Sequence, residues 1–135
     1  MSDEVTAALR QLVFGRAGGK CEYCLLPQSA SAFPHEPDHI VPLQHDGQTT
    51  ADNLALACPY CNRFKGTDLG SLDPETNQLV PFYNPRRQSW TEHFRREGGW
   101  IVPLTAEGRV TIAILQLNHP DRVLERQRLL EAGLL

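Results

Sequence analysis

Four cysteines fall in two Cys-x-x-Cys pairs, Cys21–Cys24 and Cys58–Cys61. The two-residue spacing lets both sulfurs of a pair reach one ion, and four soft thiolates suit tetrahedral Zn²⁺. The pairs lie far apart in sequence, so a shared ion would close a long loop. A pair of redox dithiols is the competing reading of the same spacing. Inside the loop stands Asp38-His39, followed by Ile40 and Val41. A carboxylate can hold a hard divalent cation. An imidazole can take a proton from an attacking water near neutral pH. Neighbours on a regular strand point to opposite faces, so both serve one site only if the strand twists or ends there. Pro42 suits such an end. An Asp-His dipeptide alone means little; the residues downstream give it weight.

Asn62 directly follows Cys61, and Lys65 follows at i+3, on the same face of a helix. The Asn62 side-chain carbonyl is a reasonable ligand for Mg²⁺ or Mn²⁺ and a poor one for zinc. Arg63 and Lys65 are candidate phosphate contacts, as is His45 beside Asp46-Gly47. Asn53, in the polar turn after Asp52, is placed to hydrogen-bond the loop backbone and so hold His39. His35, His93 and His119 read as surface or hydrogen-bonded structural residues, and Trp90 and Trp100 as core.

The elements that must position these groups are short. Val5, Ala8, Leu9, Leu12 and Val13 make one helical face, with Ser2 as its cap and Gly18-Gly19 as its end. Residues 25–37 read as an irregular loop. Asp38–Leu43 reads as a strand, 54–57 as an apolar segment, and 59–65 as a helix stopped by Gly66. Asp73-Pro74-Glu75-Thr76-Asn77 is a turn between Leu72 and Leu79-Val80. Trp90 and Phe94 suggest a short helix within 84–99. Trp100–Leu104 and Val110–Leu117 read as two strands joined at Ala106-Glu107-Gly108. Pro120 opens a last helix that Gly133 ends, with Val123, Leu124 and Leu130 facing the core.

At 135 residues the chain is expected to be one domain, 1–135: a leading helix (1–19), a zinc-held core (20–70) and a C-terminal α/β extension (71–135). Such a domain buries a modest core, which a metal would staple. No apolar run is long enough to span a membrane. The acidic start MSDEV lacks a signal-like apolar region, which points to the cytoplasm and to reduced cysteines. The net charge of −3 argues against indiscriminate nucleic-acid binding. Local pairs, Arg63 with Lys65, Arg86 with Arg87 and Arg95 with Arg96, run the other way.

Taken in order, Cys21-x-x-Cys24, Asp38-His39-Ile40, Asp52-Asn53-Leu54, Cys58-x-x-Cys61-Asn62 and Lys65-Gly66 resemble the motif of the HNH endonucleases, the ββα-metal or His-Me finger nucleases. The likeness is strongest over 21–66. More loosely, Asn84-Pro85-Arg86, Trp90-x-x-His93-Phe94 and Gly108-Arg109 resemble small stand-alone bacterial members. The resemblance implies an α+β fold: a ββα-metal core with a four-cysteine zinc site, an N-terminal helix, and a C-terminal β-hairpin plus helix. It implies a structural Zn²⁺ on Cys21, Cys24, Cys58 and Cys61, and a catalytic Mg²⁺ or Mn²⁺ on Asp38 and Asn62. His39 would be the general base, and Asn53 the middle Asn of the motif. The last position is often His in the family; Asn62 there shifts the preference away from transition metals. The implied activity is hydrolysis of DNA phosphodiester bonds, with Arg63, Lys65, His45 and the Arg86-Arg87 pair near phosphates. A homodimer or a larger partner protein would supply specificity. A non-catalytic, zinc-stabilised DNA- or protein-binding module is the alternative.

Overall fold

The computed structural model describes residues 3–135. The chain divides into two compact units, Met1–Leu69 with Asn84–Arg87, and Gly70–Tyr83 with Gln88–Leu135. No helix among the described residues is long and apolar enough to cross a membrane.

The first unit opens with α1 (Ala7–Ala17). The Thr6 hydroxyl accepts from the Leu9 amide at 3.2 Å, and Gly18, in the left-handed region, ends the helix. Ser2, the expected cap, lies outside the described residues. The buried stripe differs from the expected one. Val13 is buried with Leu54 and Leu56, and Val5, Leu9, Phe14 and Ala17 pack against them. Ala8 and Leu12 face outward. Spacing by four through Leu9, Val13 and Ala17 keeps one narrow line against the strand below.

That strand is β2 (Leu54–Ala57), buried along its whole length and paired antiparallel with β1 (Glu36–His39). The register sets Asp38 opposite Ala55 and His39 opposite Leu54. β1 therefore starts and ends earlier than the expected Asp38–Leu43. Asn53 takes over the backbone beyond it: its carbonyl accepts from Ile40 and its side chain from Val41. Leu43–His45 then turns as a 3-10 helix. After β2 comes α2 (Pro59–Lys65), with Cys58 as cap, Pro59 in the first turn and Gly66 at φ +52° as its end. Strand, strand and helix thus follow in the ββα order.

In the second unit, β3 (Gly70–Leu72) and β4 (Leu79–Pro81) form a hairpin around the expected turn. Asp73 organises it, accepting from the Glu75 amide, the Thr76 hydroxyl and both arms of Arg109. The Arg109 guanidinium holds the Asp73 carboxyl well below the usual carboxylate range. A single turn, α3 (Trp90–His93), leads into β5 (Phe94–Glu97), which pairs with β6 (Trp100–Pro103). This is the C-terminal hairpin, built from different residues than expected. Val110–Leu117 is not its second strand. Its first six residues lie in α4 (Ala106–Leu115), started by the Thr105 hydroxyl accepting from the Gly108 amide. Gly108, Thr111 and Leu115 are buried at i, i+3 and i+7, one helical face. A short run apolar at both parities fits strand and helix alike, so periodicity does not decide between them. Gly108 has a further reason: a Cβ there would lie 2.4 Å from the His93 carbonyl oxygen. Trp100, expected in the core, is 54% exposed.

α5 (Pro120–Glu131) buries Arg122 and Arg126, not Leu124, which is half exposed. Arg122 donates to the Leu115 and Gln116 carbonyls, orphans at the end of α4. Arg126 donates to the Gly99 carbonyl at 2.7 Å and to the Leu117 carbonyl. Each guanidinium thus donates to backbone carbonyls outside its own helix. Replacing Arg126 by Ala strands both of those acceptors, so chemical denaturation should show a loss of about 2–4 kcal/mol. Arg128→Ala, at an exposed position of the same helix, should cost under about 0.5 kcal/mol.

Candidate active site

The four sulfurs of Cys21, Cys24, Cys58 and Cys61 lie within 4.8 Å of one another, and all four residues are buried. No disulfide joins them. The Cys24 and Cys58 sulfurs are 3.6 Å apart, and a tetrahedron of sulfurs at about 2.3 Å from zinc has edges of about 3.8 Å. In each knuckle the amide of the second cysteine points at the sulfur of the first, at 3.5 and 3.4 Å. Burial pushes the Cys21 and Cys61 thiols up, so four thiolates in this pocket need a cation among them. The donor set fits Zn²⁺. Glu22 laces the first knuckle to β2: its amide donates to the Leu56 carbonyl, and its carboxylate accepts from the Leu56 amide. The other oxygen of Glu22 holds Arg86. That ion pair is largely enclosed, which removes Arg86 from the expected phosphate contacts; Arg87 stays exposed.

Asp38 and His39 end β1, where the strand stops. Asp38 Oδ2 sits 2.9 Å from Lys65 Nζ, in an ion pair whose angles fall outside hydrogen-bond geometry. The same ammonium donates to the His39 carbonyl at 2.9 Å. With its side chain 2% exposed, Lys65 cannot be the phosphate contact expected of it. α2 brings it inward, because an i+3 step from Asn62 on a helix held by Cys58 and Cys61 faces β1. Burial pushes the Asp38 carboxyl up, and Lys65 works against that shift. Oδ1 of Asp38 and the carboxamide of Asn62 make no hydrogen bond among the described residues. One carboxylate oxygen and one amide oxygen remain as donors for a hard cation. No distance ties the two groups together, and the cysteines are the one cluster of three or more His, Cys, Asp or Glu ligands among the described residues.

The His39 ring lies on the loop side. Its Nε2 is 2.8 Å from Thr49 Oγ1, and the Thr49 hydroxyl donates to the Asp3 carbonyl at 2.9 Å. Asn53 closes that loop from below. Its amide donates to the Val41 and Gln48 carbonyls, and its Oδ1 accepts from Val41. Gly47 allows the closure: a Cβ would lie 1.6 Å from the Val41 carbonyl oxygen. His45 is exposed, with Nε2 donating to the Thr67 carbonyl at 3.0 Å. Arg63 is exposed beside the Phe64 ring. Thr49, Glu22 and the Asp38–Lys65 pairing went unread in the sequence. No spacing rule marks a threonine in a polar loop, and a lysine near candidate ligands reads as surface.

Residues 21–68 match the family model described as HNH endonuclease. This segment is an HNH domain. Comparisons with curated proteins and with solved structures returned no match. The HNH match spans both cysteine pairs, Asp38-His39, Asn53 and Asn62, so it covers the ββα order and the four-cysteine cluster together. HNH domains are generally those of nucleases.

Metal analysis of the purified protein should return roughly one zinc per chain. Cys58→Ser should lower that content, and a strong chelator should unfold the HNH segment. Lys65→Met should destabilise the fold by about 3–5 kcal/mol, because it leaves a buried carboxylate alone. Adding Asp38→Asn to that variant should recover much of the loss in a double-mutant cycle.

Proposed function

We propose that this HNH domain hydrolyses phosphodiester bonds in DNA. The reading rests on one observation: the segment matching the HNH family holds Asp38-His39 at the end of β1, braced by Asn53, with Asn62 on the adjoining helix α2. His39 takes a proton from water as the water oxygen bonds to phosphorus and the bond from phosphorus to the 3′-oxygen breaks. The leaving oxygen takes its proton from solvent. Asp38 Oδ1 and the Asn62 carboxamide would hold Mg²⁺ or Mn²⁺. When bound, such a cation stabilises charge on the phosphoryl and leaving oxygens. Zn²⁺ on the four cysteines serves the frame. Arg63, exposed on α2, is the best-placed cation for the phosphate backbone, and His45 lies on the loop nearby. Lys65 supports the site from beneath by holding Asp38 and the His39 carbonyl. Cytoplasmic location and a homodimer or larger partner that supplies specificity complete the proposal.

The Asp38–Lys65 ion pair also favours a second reading, because a carboxylate already paired can be purely structural. On that reading the segment is a zinc-held DNA- or protein-binding module. DNA binding without cleavage across several divalent metals would select it.

Plasmid nicking with Mg²⁺ or Mn²⁺ separates the two. The wild-type chain should nick, and His39→Ala should slow the reaction by about 10²- to 10⁴-fold while zinc content and folding persist. Undiminished cleavage by His39→Ala would refute the mechanism.

A further inference from the structure

The His39 ring is held by a chain of two contacts whose chemistry allows only one arrangement of hydrogens. A backbone carbonyl accepts and never donates. The Thr49 hydroxyl has one hydrogen, and at 2.9 Å from the Asp3 carbonyl that hydrogen is already engaged. Thr49 Oγ1 can then only accept from His39 Nε2, 2.8 Å away. So Nε2 carries hydrogen, and in the neutral ring the lone pair is on Nδ1. Nδ1 has no partner among the described residues.

We propose that Thr49 is a positioning residue that fixes the tautomer and orientation of His39, and that the segment ahead of α1 takes part by holding the Thr49 hydroxyl through the Asp3 carbonyl. This deepens the nuclease reading and rests on it for its effect on rate. The Nε2–H to Thr49 contact persists whether the ring is neutral or has taken a proton on Nδ1. The ring therefore accepts the proton without turning, and its partner need not reorganise. Had Thr49 been free to donate to Nε2, the lone pairs would be reversed and Nδ1 would be blocked by its own hydrogen. Asn53 and Gly47 serve the same end from the other side, because they set the loop that carries Thr49.

The test uses the full-length, zinc-loaded chain with Thr49→Val and Thr49→Ser. Valine keeps the shape and removes the hydroxyl; serine keeps the hydroxyl. Long-range ¹⁵N–¹H correlation spectra, with His39 assigned by comparison with His39→Ala, read the tautomer directly. Wild type and Thr49→Ser should show hydrogen on Nε2, and Thr49→Val a mixture. In nicking assays Thr49→Val should lose about 10- to 100-fold in kcat, with KM for DNA within about twofold and zinc content unchanged. Thr49→Ser should recover most of the rate. A wild-type His39 with its hydrogen on Nδ1 would overturn the proposal, as would Thr49→Val with unaltered spectra and kcat. Should Thr49→Val fail to fold, the wild-type tautomer together with Thr49→Ser decides. If the spectra follow expectation while wild type nicks no DNA, the hydrolytic reading fails and the role of Thr49 in placing His39 stands.

Discussion

Four sulfurs gathered within 4.8 Å are the constraint on which the HNH segment depends. Cys24 and Cys58 lie 34 positions apart, and all of β1, the Thr49 loop and β2 fall between them. Two paired strands of four residues are marginal in water without further support. The apolar core beneath them is small, Val13 with Leu54 and Leu56 and a fringe from α1. A cross-link closing so long a loop removes many unfolded conformations at once. It also fixes where α2 starts, since Cys58 is at once a candidate metal ligand and the helix cap. Once that start is fixed, the helical repeat determines that Lys65 meets Asp38.

Two demands compete at Asp38. On the nuclease reading this carboxylate must keep its charge to hold a cation, yet burial favours the neutral acid. The Lys65 ammonium offsets that penalty at one oxygen. A lone enclosed carboxylate would be costly, whereas a paired one with an open second oxygen is tolerable and still able to ligate. Lys65 also grips the His39 carbonyl, so one buried cation holds both residues of the Asp-His pair through different atoms. The side chain of Asp38 is held from α2 and that of His39 from the Thr49 loop, at the point where β1 ends.

What could be read from sequence divides along physical lines. The cysteine pairs, α2 with its Gly66 end, the Asp73 turn and the start of α5 at Pro120 were legible, because each is written in local chemistry: thiol spacing, helix capping, turn residues. Three features were not. The apolar Val110–Leu117 run satisfied strand and helix templates equally, and the choice came from the Thr105 cap and the close approach of Gly108 to His93. Arg122 and Arg126 looked like the polar face of α5, yet carbonyls left open by other segments drew them inward. Lys65 looked like surface for the same reason. For Arg126 and Lys65 a partner more than 20 positions away decided the outcome, and a charged side chain carries no mark of whether such a partner exists.

The pairing of cations within the unit bears on how the HNH segment could meet a polyanion. Among the described residues of its unit, Arg10 pairs with Glu36, Lys65 with Asp38 and Arg86 with Glu22, while Arg16 donates to the Leu54 carbonyl. Arg16, Lys20, Arg63 and Arg87 are the exposed cations without an ion-paired carboxylate there. Affinity for DNA that comes from displaced counterions scales with the number of phosphates neutralised. Few uncommitted cations on a chain of net charge −3 therefore make a weak electrostatic grip. On the nuclease reading, most of the discrimination among DNA sites must then come from the fit of the groove to the loop and α2, or from a second chain that brings its own basic surface. On the same reading, weak intrinsic attraction also keeps the centre from engaging DNA indiscriminately, which is a physical reason for pairing cations with carboxylates of the same unit.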